Sequence, residues 1–128
     1  MVESLREKII LKGLVNSFRV VGKMNREMAS QRMLNALEPG TVMPVHRHMK
    51  SSETVVCIRG HFEEYFYNDN GVLTDTIDMV PGGVVLNVPI GMWHSLKSLE
   101  SGTVLLECKD GKWEPLGEGE VMESAFLR

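Results

Sequence analysis

Two of the chain's four histidines, His46 and His48, stand with one residue between them. A carboxylate, Glu53, follows five positions after the second, and a third imidazole, His94, comes three positions after the Pro89-Ile90-Gly91 turn. Three imidazoles and one carboxylate form a donor set for a first-row transition metal: iron, manganese, nickel, cobalt or zinc. Calcium and magnesium prefer an all-oxygen shell. Three neutral imidazoles and one carboxylate leave a divalent ion with a residual charge of about +1. Four protein donors also leave open positions on an ion that takes five or six, unlike a closed structural zinc. An open site binds water, polarises a carbonyl or holds two oxygens of a ligand.

Such a set needs strands to carry it. Side chains alternate along a strand, so His46 and His48 share a face and Arg47 points away. Glu53 is an odd number of positions from His48, so the polar break at 49–52 must turn the chain to bring it round. Residues 41–48 read as a strand after the Glu38-Pro39-Gly40 turn. "ETVVCIR" at 53–59 is a second, and "HFEEYFY" continues the pattern after Gly60. Asn68-Asp69-Asn70-Gly71 is a hairpin turn, followed by strands at 72–79, 84–88, 92–99 and 103–109. With the period-two pattern from Arg32 this makes about eight short strands, the signature of an antiparallel sandwich or barrel.

Residues 3–15 have helical spacing, with Val2, Leu5, Ile9, Ile10 and Leu14 on one stripe. The expected organisation is therefore an N-terminal helical and connector segment over 1–30, one all-β domain over 31–115, and a tail over 116–128. The chain has 128 residues, 43% of them hydrophobic and 24% charged, with a net charge of −3. That balance describes one globular domain. It leaves no basic face for nucleic acid, and no apolar run is long enough to cross a membrane. No signal-peptide pattern opens the chain, so the expected location is the cytoplasm. There Cys57 and Cys108 are expected as reduced thiols.

"GTVMPVHRHMKSSETVVCIRG" resembles the first motif of the cupin superfamily at every spacing, and "GVVLNVPIGMWHSLKS" resembles the second. The second motif closes on Ser98 where the family has Asn, a departure that touches a local hydrogen bond and no metal donor. "QRMLNALEPGT" leading into "HRH", with "LLECKDGKWEP", is more narrowly similar to the WbuC-type cupin-fold metalloproteins, often associated with lipopolysaccharide O-antigen gene clusters. The resemblance implies an antiparallel jelly-roll (cupin) β-barrel and makes His46, His48, Glu53 and His94 the ligands of one divalent transition metal ion in the barrel mouth. It also implies a small-molecule ligand, related to a sugar or polysaccharide, and a homodimer.

Around that site, alternation from Glu53 puts Val55, Cys57 and Arg59 on the inner face, and alternation from His94 puts Met92 and Leu96 there. Trp93 and Ser95 are then expected outside. Arg59 is a candidate for binding an anionic substrate. Glu107, alone between Leu106 and Cys108, is a candidate general base or substrate-binding group, because a carboxylate in an apolar strand needs a partner or a wet pocket. An ion pair on the outer face explains it equally well. His61 matches no ligand position. In "HFEEYFY" one register points Phe62, Glu64 and Phe66 inward, and the other His61, Glu63, Tyr65 and Tyr67. No nucleophile with an adjacent base and no nucleotide fingerprint appears. Three functions remain: a metal-dependent enzyme such as an isomerase or epimerase of a small polar molecule, a non-catalytic binding or sensing module, and a mononuclear iron dioxygenase.

Overall fold

A computed structural model describes residues 29–123. The helical segment expected over 1–30 lies outside these residues apart from its last two. Among the described residues seven strands follow in order: β1 (Ser30–Leu37), β2 (Glu53–Arg59), β3 (Phe62–Tyr67), β4 (Leu73–Met79), β5 (Val85–Val88), β6 (Trp93–Ser98) and β7 (Thr103–Asp110). They form two antiparallel sheets, one ordered β1-β7-β2-β5 and the other β4-β3-β6. This is an all-β jelly-roll arrangement of facing sheets. Among the described residues regular pairing does not join the two sheets into a closed barrel.

The core follows from alternation. Leu37, Val55, Cys57, Val88 and Leu105 of the first sheet meet Phe62 and Met79 of the second, and all seven are buried. Leu86, Met92, Leu96 and Ile77 pack against them. Phe62, Met79 and Leu105 form the apolar floor, with no measurable exposure. Gly60 makes the tight return from β2 to β3. Its φ of +82° is one that L side chains avoid. A Cβ there would also stand 2.8 Å from the Thr103 backbone Cα.

The strand expected over 41–48 does not form. Only His46 pairs, bridging His94 on one side and Val121 on the other. Pro44 has no N–H to give a ladder, and the segment is held instead by single bonds from its neighbours. Arg47 N–H donates to Glu120 O at 2.9 Å, and Met122 N–H donates to Val45 O at 2.8 Å. The 120–122 stretch thus straps 45–47 against β6. This strap also changes the outside of β6. Trp93 and Ser95 do face outward, but both are buried. Trp93 packs with Val45, Met122 and Tyr67, and the Arg47 guanidinium lies 4.2 Å from its ring centroid.

Candidate metal centre

β2 opens on Glu53, and β6 carries His94 as its second residue. The Pro44–His48 segment lies against β6, so all four expected donors reach one end of the molecule. Ring nitrogens of His46, His48 and His94 lie within 4.8 Å of one another. Glu53 Oε2 is 3.0 Å from His48 Nε2 and 3.9 Å from His94 Nε2. Both Glu53 and His94 are buried, at 4% and 2% exposure.

The chemistry of these donors suits a cation. His46 Nδ1 is 2.9 Å from Pro44 O, and His94 Nδ1 is 2.9 Å from Met92 O. A carbonyl only accepts, so each Nδ1 carries the hydrogen and each Nε2 keeps its lone pair for the site. Burial lowers the pKa of both rings, His94 to about 4. At neutral pH they are the neutral imidazoles that ligate metals. Burial works to raise the Glu53 pKa. The His48 hydrogen bond and the charges of His94, His48 and Lys109 outweigh it, and the net shift is downward. The residues therefore fit the ion the spacing calls for.

Lys109, paired with Glu53 across β2 and β7, lies with Nζ 3.4 Å from His48 Nδ1. His48 thus turns Nδ1 to Lys109 and Nε2 toward Glu53. Lys109 was not singled out in the sequence. Its signal is alternation from Glu107, which places both on one face of β7.

Glu107 faces the interior, not an outer ion pair. It stands opposite Val55 on β2 and Met33 on β1. Gln31 Nε2 donates to its Oε2 at 3.4 Å, and Asn35 also hydrogen-bonds it. Burial, reinforced by the Glu53 charge, raises its pKa to about 8. The ambiguous β3 takes the register that turns Phe62, Glu64 and Phe66 inward. Glu64 is 1% exposed, and burial followed by the charges of Glu53 and Glu107 raises its pKa well above the usual range.

Arg59 is not brought to the cluster. It is exposed at the far end of β2, six residues from Glu53, roughly 20 Å away at strand rise. A bulge between Cys57 and Arg59 frees it from the inner face, and its guanidinium lies beside Gly102. His61 pairs with Asp78 on the outside. Ser98, in the place of the motif's Asn, donates to Leu37 O at 3.1 Å and to Glu100 O at 3.0 Å. Cys57 and Cys108 are free thiols. Among the described residues no helix is long and apolar enough to cross a membrane.

A family model described as "Domain of unknown function (DUF6016)" matches residues 22–79, a stretch that includes His46, His48 and Glu53. No curated protein matches the chain. Solved structures do. Oxalate decarboxylase from Bacillus subtilis, in a structure concerned with its Mn(II) centres, is 22% identical with a TM-score of 0.56, over 77% of this chain and 25% of that one. The capsular polysaccharide assembling protein CapF from Staphylococcus aureus is 20% identical with a TM-score of 0.55, over 74% and 27%. A double mutant of the QdtA 3,4-ketoisomerase from Thermoanaerobacterium thermosaccharolyticum, in complex with TDP, is 16% identical with a TM-score of 0.57, over 76% and 69%. The chain spans about a quarter of the length of the first two. These neighbours are cupin-fold proteins, and at such identities the likeness is one of architecture: the chain has the fold of the cupin superfamily and carries a three-histidine cluster of metal-binding type within it.

Proposed function

We propose that the protein binds one divalent transition metal ion through His46, His48, Glu53 and His94 and acts on a small polar molecule held at that ion. The observation that carries this reading is the convergence of three ring nitrogens within 4.8 Å, with the Glu53 carboxylate 3.0 Å from one of them. Bound there, the ion supplies Lewis acidity toward a ligand oxygen or a water. Iron, manganese, nickel, cobalt and zinc all suit the donors. The Mn(II) centres of the decarboxylase support manganese.

The chain's own residues supply the rest. Lys109 offers a positive charge at the mouth for an anionic oxygen. Glu107 and Glu64, whose carboxyl pKa values burial raises, keep their protons more readily one layer deeper, where an isomerase or epimerase needs a group that moves one. A sugar-related ligand is favoured by the neighbours that assemble capsular polysaccharide and bind TDP. The quoted WbuC-like stretches favour the same class, together with O-antigen biosynthesis. The two free thiols favour the cytoplasm. A homodimer remains the expected assembly.

Elemental analysis of protein purified without a histidine tag tests the centre. Roughly one transition metal ion per chain is expected, and none in His46→Ala. Equal, trace metal in both proteins would overturn the proposal.

A further inference from the structure

The interior is built in layers. The histidines, Glu53 and Lys109 occupy the mouth. Phe62, Met79, Leu105 and Leu37 occupy the floor. Between them lies a polar layer. Glu107 stands opposite Val55, two residues in from Glu53 on β2. Glu64 stands opposite Leu96, two residues in from His94 on β6. Each acid is therefore one inward position below the mouth, about 7 Å along its strand. They rise from facing sheets, whose spacing of about 10 Å lets two glutamate side chains approach each other. Gln31, 4% exposed, stands opposite Lys109 at the mouth and reaches the layer through its Nε2 hydrogen bond to Glu107.

This layer is incomplete within the protein. Among the described residues two buried side-chain polar atoms have no hydrogen-bond partner, and both lie here: Gln31 Oε1 and Glu64 Oε2. An unmet buried polar atom is costly, so the layer favours a group that supplies the missing bonds. A cation is a poor match. Among the described residues the group of acidic, histidine or cysteine donors close enough to share one ion is His46, His48 and His94, which excludes these acids. An anion is a poor match too, because the Glu53 carboxylate stands one inward position away and a second buried charge there is costly. A hydroxyl group both donates and accepts, which suits an unpartnered amide oxygen and an unpartnered carboxyl oxygen alike.

We infer that Gln31, Glu64 and Glu107 form a hydroxyl-binding subsite beneath the metal centre. The ligand is a short hydroxylated chain whose anionic oxygen faces Lys109 and the ion while its hydroxyls reach the Gln31–Glu64 layer. This deepens the proposed function and rests on it for the mouth end alone.

Two six-carbon carboxylates separate the contributions of the hydroxyls and the charge. Calorimetry on the zinc-loaded full chain is expected to give gluconate at least tenfold tighter binding than hexanoate. Gln31→Leu and Glu64→Leu are expected to abolish that ratio with zinc content and hexanoate affinity unchanged. Glu64→Gln, which keeps a donor, is expected to retain most of it and covers the case in which the leucine variant does not fold. Equal affinities in the wild type, or an unchanged ratio in the folded variants, would mean that water fills the layer and would overturn the subsite. If the wild type holds no zinc, the metal reading fails and the subsite is read on the same metal-free protein. Myo-inositol should then shift the Gln31 side-chain amide resonance saturably, and no shift overturns it.

Discussion

His46 and His94 exchange both of their backbone hydrogen bonds. His46 N–H donates to His94 O at 3.0 Å, and His94 N–H donates to His46 O at 2.8 Å. The two rings follow, with centroids 4.3 Å apart. Two proposed donors from distant parts of the sequence are thus fixed to each other by main chain alone. Such preorganisation converts ion binding directly into stability. At a free ion concentration 100-fold above Kd, the wild type should gain about 2.7 kcal/mol, a rise in Tm on the order of 10 °C. His94→Ala should melt at the same temperature with and without zinc or manganese. An equal rise in that variant, measured by thermal denaturation, would remove His94 from the donor set.

Glu64 and Glu107 give the metal-free protein an unusual pH dependence. Both carboxyl pKa values are raised in the fold, that of Glu107 to about 8. The unfolded chain loses these protons near pH 4.5, so between the two values the native state holds more protons than the unfolded state. The Glu107 contribution is then fully present below about pH 4.5 and falls as pH rises toward 8, by up to about 1.4 kcal/mol per pH unit, and Glu64 acts in the same direction. Glu107→Gln should flatten part of this slope and raise stability at pH 7. Urea unfolding at pH 5, 6, 7 and 8 measures it, and a slope that is unchanged in the variant would show that Glu107 ionises normally.

Arg47 sits between two proposed ligands in the chain yet serves the outside of the molecule. It covers the Trp93 ring, and its Nε donates to Gly119 O at 3.0 Å. Arg47→Ala should destabilise the protein by about 1 kcal/mol through the lost ring and carbonyl contacts. Metal content should not change. Elemental analysis of the variant beside its melting curve decides this, and loss of metal with an unchanged melt would place Arg47 at the ion.

Much of the site could be read from residue type and spacing. A single residue between two histidines gives them a common side whether or not a regular strand forms. The Pro89-Ile90-Gly91 turn sets where β6 begins and so where His94 falls. Polar breaks and turn residues likewise mark the strands in order, except at 41–48, where Pro44 and the strap from 120–122 replace a ladder. The narrow interior layer is another matter. Alternation says which residues of β3 share a face, but "HFEEYFY" has aromatics and glutamates on both, so its own composition does not choose. The choice comes from β4 and β6, which bury Phe62 against Met79 and Ser98 and carry Glu64 in with it. Glu107 is settled in the same way. Leu105, two positions along β7, belongs to the core, and that turns Glu107 and Lys109 inward beside Gln31. The sequence by itself determined the proposed donors and the order of the strands, because these depend on local chemistry and short spacings. Only the tertiary structure decided which polar side chains enter the interior, because burial of a strand face depends on partners brought to it from far along the chain.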